Sequence, residues 1–100
     1  MQVHDCYSVK KEDFRRLRPK IKFEIVNSVE DVYNRFARAL ADLVKKNNKK
    51  GKGTCVIIPV GPVDFSIFAR LCNKEGISCK NLVTINMDEY CDKDGKRIPY

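Results

Sequence analysis

The chain has 100 residues, the length of about one domain, and its 43% hydrophobic and 33% charged residues exclude an intrinsically disordered protein. No apolar run approaches the ~20 residues of a membrane span, and the first residues lack the apolar core of a signal peptide. Twenty basic residues against 13 acids give a net charge of +7, which permits binding to polyanions. We therefore expect a cytoplasmic protein without a membrane partner.

The first elements in chain order are a short helix, a strand and a long helix. A helix is predicted around Glu12–Leu17, stopped by Pro19, and the alternating apolar residues of Ile21–Val26 predict a strand. Ser28 is a candidate N-cap for the long helix that follows and that ends at 47–53. Its apolar residues recur at spacings of three and four: Val29, Val32, Tyr33, Phe36, Ala37, Leu40, Leu43 and Val44.

The second half of the chain predicts strand, helix and strand. Thr54–Val60 is a continuous apolar run rich in β-branched residues, typical of a strand buried on both faces of a parallel sheet. Asp64 or Ser66 can cap a helix that ends before Gly76, and Leu82–Met87 predicts a third strand. Strands that alternate with helices over residues 21–87 indicate an α/β fold with a parallel sheet.

Positive charge clusters at Lys10–Lys22 and Lys45–Lys52. The second cluster is interpreted as a solvated turn between a helix and a strand. The first has only Phe14 and Phe23 nearby and carries no RNA-binding aromatic signature, so nucleic acid is not the expected partner. A small basic RNA-binding domain is kept as a third functional hypothesis, after the enzyme and the regulatory module that are described below.

The cysteines do not predict a metal site. Five are present, none in a C-x-x-C pair, and His4 is the single histidine: Cys6, Cys55, Cys72, Cys79 and Cys91. A structural zinc site needs four such ligands in close pairs, so we expect no metal and no cofactor. Cys55 and Cys72 lie in apolar segments and are expected to be buried as small hydrophobic residues.

Two segments fall where an open parallel sheet binds ligands, outside the carboxyl ends of its strands. In 59–64, Gly61 lies at a strand-to-helix turn, where backbone N–H groups can approach an anion, although Pro62 removes one donor. The alternative is a tight structural turn. In 86–90, the adjacent carboxylates of Asp88 and Glu89 can serve in acid–base chemistry, or they are two loop acids of which one caps the next turn.

The segment 92–95 partly matches a calcium-binding loop. With Gly95 at the sixth position, the required glutamate would fall beyond Tyr100, so this interpretation is rejected. Asp94-Gly95 is instead predicted to form a turn.

The residues Leu82–Tyr90, ending in N-M-D-E-Y, resemble the glucosamine-6-phosphate deaminase/isomerase family. The upstream order also matches: an amphipathic helix, a buried strand, a glycine turn, a helix, and the G-I-S-C-K-N segment Gly76–Asn81. The resemblance extends over about residues 24–100.

The resemblance implies a Rossmann-like three-layer α/β fold with a parallel sheet, here partial, with about three strands and two main helices. It implies aldose–ketose isomerisation of an amino-sugar phosphate, with release of ammonia from C2 in the deaminases. Asp88 would then be the proton-transfer base at C2 and Glu89 a supporting catalytic residue. The expected partner is a small sugar phosphate, and self-association into a homo-oligomer is a further expectation.

The turn after the second strand departs from the family's P-T-G-S-T-P pattern. Val60 and Val63 stand where hydroxyl residues are expected, and Asp64 adds negative charge, so Gly61 alone is carried over as a phosphate contact. The family's catalytic histidine and later acidic residues lie farther along a longer chain. We therefore interpret residues 1–100 as a single α/β domain forming the N-terminal part of a longer sugar-phosphate isomerase-like domain. These residues alone hold half of the family's site, so we expect enzyme activity of the longer protein and none of the 100 residues by themselves. The alternative is a catalytically inactive regulatory module that binds a sugar phosphate or another anion.

Overall fold

The computed structural model describes residues 7–17, 20–61 and 63–99. A short 3-10 helix at Lys11–Asp13 runs into α1 (Phe14–Leu17), which together cover the predicted first helix; Pro19 lies outside the described residues. The remaining elements are α2 (Val29–Lys49), β1 (Thr54–Ile58), α3 (Ser66–Glu75) and β2 (Leu82–Asn86). Among the described residues, no helix has the length and apolar character needed to cross a membrane.

The long helix α2 begins at Val29, directly after the predicted N-cap Ser28. The Ser28 hydroxyl accepts a hydrogen bond from the backbone N–H of Asp31 at 3.1 Å, which satisfies one donor of the first turn. After α2, Gly51 adopts a left-handed φ of 66°, a conformation that favours glycine. The lysines of the 45–52 cluster are exposed on the end of α2 and this turn, as predicted: Lys45, Lys46, Lys49, Lys50 and Lys52.

The two strands form a parallel pair, which confirms the α/β class. Thr54 pairs with Leu82 and Ile58 with Asn86, so the strands are aligned along their full length. The backbone N–H of Met87 donates to the Ile58 carbonyl at 2.8 Å and extends the ladder by one residue. This arrangement is compatible with part of a Rossmann-like fold.

Both long helices contribute to one core on one face of the strand pair. The buried residues at its centre come from α2, α3 and the following loop: Leu40, Ala41, Val44, Cys72 and Ile77. Val56 and Leu82 approach them from the strands, and Thr54 on the same face is also buried. Burial of Cys72 confirms its prediction as a small core residue.

The opposite face of the strand pair is exposed, so the prediction that β1 is buried on both faces is wrong. Ile57 is 65% exposed, and its partner Ile85 is 50% exposed. Cys55 was expected to be buried, but it is also exposed, beside the 56% exposed Val83. The reason is that α2 and α3 cover the alternate residues, and side chains of a strand alternate between faces.

The predicted strand at Ile21–Val26 is also wrong, because this segment forms no ladder in the structure. The described sheet therefore has two strands instead of about three. The Glu24 carboxylate instead pairs with Arg35 of α2, and Phe23 packs edge-to-face on Phe14 with ring centroids 4.6 Å apart. Alternation alone does not make a strand, since a strand also needs a neighbour to accept its hydrogen bonds.

Side-chain amides at the end of α2 attach it to the start of both strands. The Asn47 amide donates to the Thr54 hydroxyl at 2.9 Å, and the Asn48 amide donates to the Ser78 carbonyl at 2.8 Å. The Thr54 backbone N–H donates to the Asn81 carbonyl at 3.0 Å. These bonds fix the amino ends of the strands, opposite to the edge at which the candidate site lies.

Candidate functional site

The two segments singled out from the sequence leave the sheet at the same edge. Ile58 and Asn86 are the last paired residues of two parallel strands. Gly61 follows three residues after β1 ends, and Asp88 follows two residues after β2 ends. The structure therefore places Gly61, Asp88 and Glu89 at the carboxyl edge of the strand pair, where ligands bind in open parallel sheets.

Gly61 forms an open turn before α3. Its carbonyl accepts a hydrogen bond from the Val63 backbone N–H at 2.7 Å, and no described residue accepts a hydrogen bond from its own N–H. A Cβ built at Gly61 would meet no atom within 4 Å, and its φ is outside the left-handed region. Neither packing nor backbone conformation within the described structure requires glycine here.

The start of α3 already has a carboxylate beside it. The Asp64 carboxylate accepts the backbone N–H of Ser66, the first residue of α3, at 2.9 Å. Hydrogen bonds from the Ser66 side chain and backbone, together with the charge of Arg70, hold the pKa of Asp64 below its usual value. Neither predicted cap is the N-cap of α3, because that position is Phe65, which makes no side-chain cap hydrogen bond. The negative charge of Asp64 nevertheless opposes an anion at this helix end.

Asp88 and Glu89 differ in their surroundings. The Glu89 carboxylate accepts the Asn86 amide at 3.1 Å and the Tyr90 backbone N–H at 3.2 Å. The Asp88 carboxylate is exposed and has no hydrogen-bond or ion-pair partner among the described residues. One acid is thus held in place by its neighbours, while the other is available to an incoming molecule.

A small C-terminal bridge supports this segment. The Ile98 backbone N–H donates to the Tyr90 carbonyl at 3.0 Å, and Cys91 forms an isolated antiparallel bridge with Arg97. The chain reverses at 92–95, where Gly95 has a φ of 78°, which confirms the predicted turn. The Asp92 carboxylate accepts the backbone N–H groups of Asp94 and Lys96, each at 2.9 Å, so its Oδ1 atom serves the turn.

A groove of about 620 Å³ lies between α2, α3 and the segment that precedes α2. It is lined in part by Arg38 and Asp42 of α2, and the charged groups there are already paired. Arg38 binds both Asp42 and Glu75, which raises the pKa of the guanidinium and lowers the pKa of Glu75. We interpret this network as a connection between α2 and α3.

Sequence comparison points to one curated relative. The chain is 30% identical over 74 residues to a putative glucosamine-6-phosphate deaminase-like protein of Bacteroides thetaiotaomicron. The match covers 71% of this chain, and the chain spans about a tenth (11%) of the relative's length. No protein-family model matches the chain, and no solved structure matches it.

Sequence reasoning placed Asp88 and Glu89 but missed the role of Asn86. The amide of Asn86 reaches Glu89 because the chain bends after β2, which brings residues three apart together. The signal available in the sequence was the asparagine itself, because Asn side chains commonly form hydrogen bonds to nearby residues at a turn.

Proposed function

We propose that this chain contributes to an enzyme site for amino-sugar phosphates, with Asp88 as the base that moves a proton at C2 of the sugar. The observation that carries the proposal is the N-M-D-E-Y segment at the carboxyl end of β2, with an Asp88 carboxylate that meets no described partner. The similarity to a glucosamine-6-phosphate deaminase-like protein supports the same chemistry.

The proposed reaction needs a carboxylate such as Asp88. Removal of the C2 proton beside a carbonyl or imine carbon gives an enediol or enolamine, and return of the proton to C1 interconverts the aldose and the ketose. A positioned base typically accelerates such a step by about 10²–10⁴-fold. Asp88 is accessible at the edge where substrates of parallel sheets lie, which supports its assignment over that of Glu89.

Glu89 and Gly61 have supporting roles in this proposal. Glu89 is held by the Asn86 amide and the Tyr90 N–H, so it supplies fixed negative charge and geometry next to Asp88. The Gly61 N–H, free of described acceptors, is the proposed donor to the substrate phosphate. The open space around Gly61 allows the phosphate to come close to the backbone.

The extent of the match limits what is assigned to this chain. Because it spans about a tenth of its relative, we assign to it the Asp88 base and the Gly61 phosphate contact, and we expect activity of the complete protein rather than of these 100 residues alone. Ammonia release is proposed for the complete protein in which this sequence functions.

The test compares two variants that lose the same charge. Binding of glucosamine 6-phosphate is measured by calorimetry, and conversion is followed as ammonia and fructose 6-phosphate, for the complete protein in which this sequence functions as wild type, Asp88→Asn and Asp94→Asn. Asp94→Asn is the matched control because it lies in the adjacent turn and outside the proposed site. We expect Asp88→Asn to retain binding and lose conversion, and Asp94→Asn to retain both. Binding by the wild type without any proton transfer would favour the inactive regulatory module, and absence of binding would contradict both.

A further inference from the structure

Two cysteine side chains meet where α3 ends and the chain turns towards β2. Cys72 belongs to α3 and is 6% exposed, whereas Cys79 lies in the following loop and is exposed. The Cys79 thiol contacts the Cys72 sulfur at an Sγ–Sγ distance of 3.7 Å. The other described cysteines, Cys55 and Cys91, have no such thiol neighbour among the described residues.

The backbone holds this contact in place. Gly76 ends α3 with a left-handed φ of 64°, and the Ile77 backbone N–H donates to the Cys72 carbonyl at 2.9 Å. The Ile77 side chain is buried in the core next to Cys72. On the other side, the Leu82 backbone N–H donates to the Cys79 carbonyl at 3.0 Å. Both cysteines are therefore anchored independently, one by the helix and one by the entry to β2.

We propose that Cys72 and Cys79 form an intramolecular disulfide when the protein meets a peroxide. A disulfide bond is about 2.05 Å long, so the two sulfurs must approach by less than the width of one atom. Rotation of the exposed Cys79 side chain can supply this movement without displacing the buried Cys72.

The positions of the two thiols set the order of the chemistry. Burial and the neighbouring Cys79 raise the pKa of the Cys72 thiol to about 11, which keeps it protonated and unreactive at first. Cys79 is exposed and reacts first: its thiolate attacks one peroxide oxygen, the O–O bond breaks, and the departing hydroxide becomes water. The Cys72 sulfur then attacks the Cys79 sulfur, the S–O bond breaks, and hydroxide leaves with the Cys72 proton. Two thiols are oxidised, and the peroxide is reduced to two waters.

The disulfide would tie the end of α3 to the start of β2. It closes a short loop, which restricts the unfolded chain and stabilises the native state. The tie lies at the amino end of β2, whereas Asp88 follows the carboxyl end. We therefore expect oxidation to change the stability of the protein more than its affinity for a ligand at the Asp88 edge.

Peptide mapping tests the proposal directly. The full chain is treated with hydrogen peroxide, remaining thiols are alkylated, and the protein is digested with trypsin without reductant. Cleavage after Arg70, Lys74 and Lys80 separates the two cysteines, so the disulfide joins peptide 71–74 to peptide 75–80. We expect this joined peptide, lighter than its two reduced parts by two hydrogen atoms and abolished by dithiothreitol.

Two variants complete the test. Cys79→Ser changes an exposed residue and should remove the joined peptide, whereas the matched control Cys91→Ser should retain it. Oxidation should raise Tm by about 5–10 °C in the wild type and in Cys91→Ser but leave Cys79→Ser unchanged. Sulfinic acid on Cys79 with Cys72 still free, or pairing of Cys79 with any other cysteine or another molecule, would overturn the proposal.

Discussion

The Asn86 side-chain amide donates a hydrogen bond to the Glu89 carboxylate at 3.1 Å, across the bend that follows β2. This bond fixes one of two adjacent acids and separates their roles. Replacing Asn86 with alanine should leave Glu89 less well oriented while Asp88 remains in place. Since a single hydrogen bond of this kind contributes about 1 kcal/mol, we expect Asn86→Ala to lower proton-transfer activity by about fivefold.

The control for this prediction is Asn73→Ala, an exposed asparagine on α3 whose loss should leave the activity unchanged. Steady-state rates for both variants, compared with that of Asp88→Asn, measure the effect. A loss in Asn86→Ala as large as that in Asp88→Asn would contradict the division of roles between the two acids.

The Asp64 carboxylate next to the start of α3 gives a prediction for phosphate affinity. Asp64→Asn keeps a side-chain oxygen for the Ser66 N–H but removes the negative charge near the proposed phosphate contact. One charge at about 4 Å in water contributes about 1 kcal/mol, so we expect glucosamine 6-phosphate to bind about fivefold more tightly. Calorimetry against Asp94→Asn checks it. Unchanged or weaker binding in Asp64→Asn would place the phosphate elsewhere.

Gly61 offers a second test of the phosphate contact. A methyl group at this position meets no atom within 4 Å, and φ is not left-handed, so Gly61→Ala should leave Tm within a few degrees of that of the wild type. If the phosphate approaches the Gly61 backbone, the added methyl should weaken binding of the sugar phosphate. Thermal unfolding and calorimetry of the same sample separate the two effects. Full affinity in a folded Gly61→Ala protein would remove Gly61 from the site.

The ion pair between Arg38 of α2 and Glu75 of α3 predicts that acid lowers the stability of the fold. Hydrogen bonding to Arg38 holds the pKa of Glu75 below its usual value of about 4.3. Glu75 therefore stabilises the fold above the unfolded-state pKa, and this contribution is lost as the pH falls through the lower folded-state pKa. Urea unfolding at pH 6 and pH 3 should show a smaller acid-induced loss in Glu75→Gln than in the wild type or in Glu12→Gln. An equal loss in all three proteins would contradict this role.

The exposed face of the strand pair predicts a contrast between two residues of equal size. Ile57→Ala removes side-chain atoms that are 65% exposed, whereas Leu40→Ala removes atoms from the core, where Leu40 is 8% exposed. We expect Leu40→Ala to lower the free energy of unfolding by about 2–5 kcal/mol and Ile57→Ala by less than half as much. Denaturant titration measures both. Equal losses would mean that this face is covered in solution.

Sequence patterns predicted which segments form helices and strands better than they predicted which faces of those elements are buried. Ser28 and the apolar stripe predicted α2 because a cap and a helical period act within a few residues. The two strands were also found, but their one-sided burial was not, since Ile57 and Ile85 carry no information about which layers cover them. The segment 21–26 failed for the same reason: its alternation is that of a strand, but no described strand accepts its hydrogen bonds.

The sequence likewise predicted some features of the candidate site and missed others. Asp88 and Glu89 could be found because they follow an apolar strand and form part of a recognisable run of residues. The Asn86–Glu89 hydrogen bond and the Cys72–Cys79 contact depend on how the chain bends after β2 and after α3, so spacing alone did not predict them.

The central claim is that Asp88 moves the proton at C2, and exchange of that proton with solvent tests it most directly. The complete protein in which this sequence functions is incubated with fructose 6-phosphate and ammonium, or with glucosamine 6-phosphate, in deuterium oxide, and deuterium at C2 is followed by NMR. We predict incorporation with the wild type and with Asp94→Asn, and a loss of about 10²–10⁴-fold with Asp88→Asn. Incorporation at the wild-type rate by a folded Asp88→Asn protein would contradict the account.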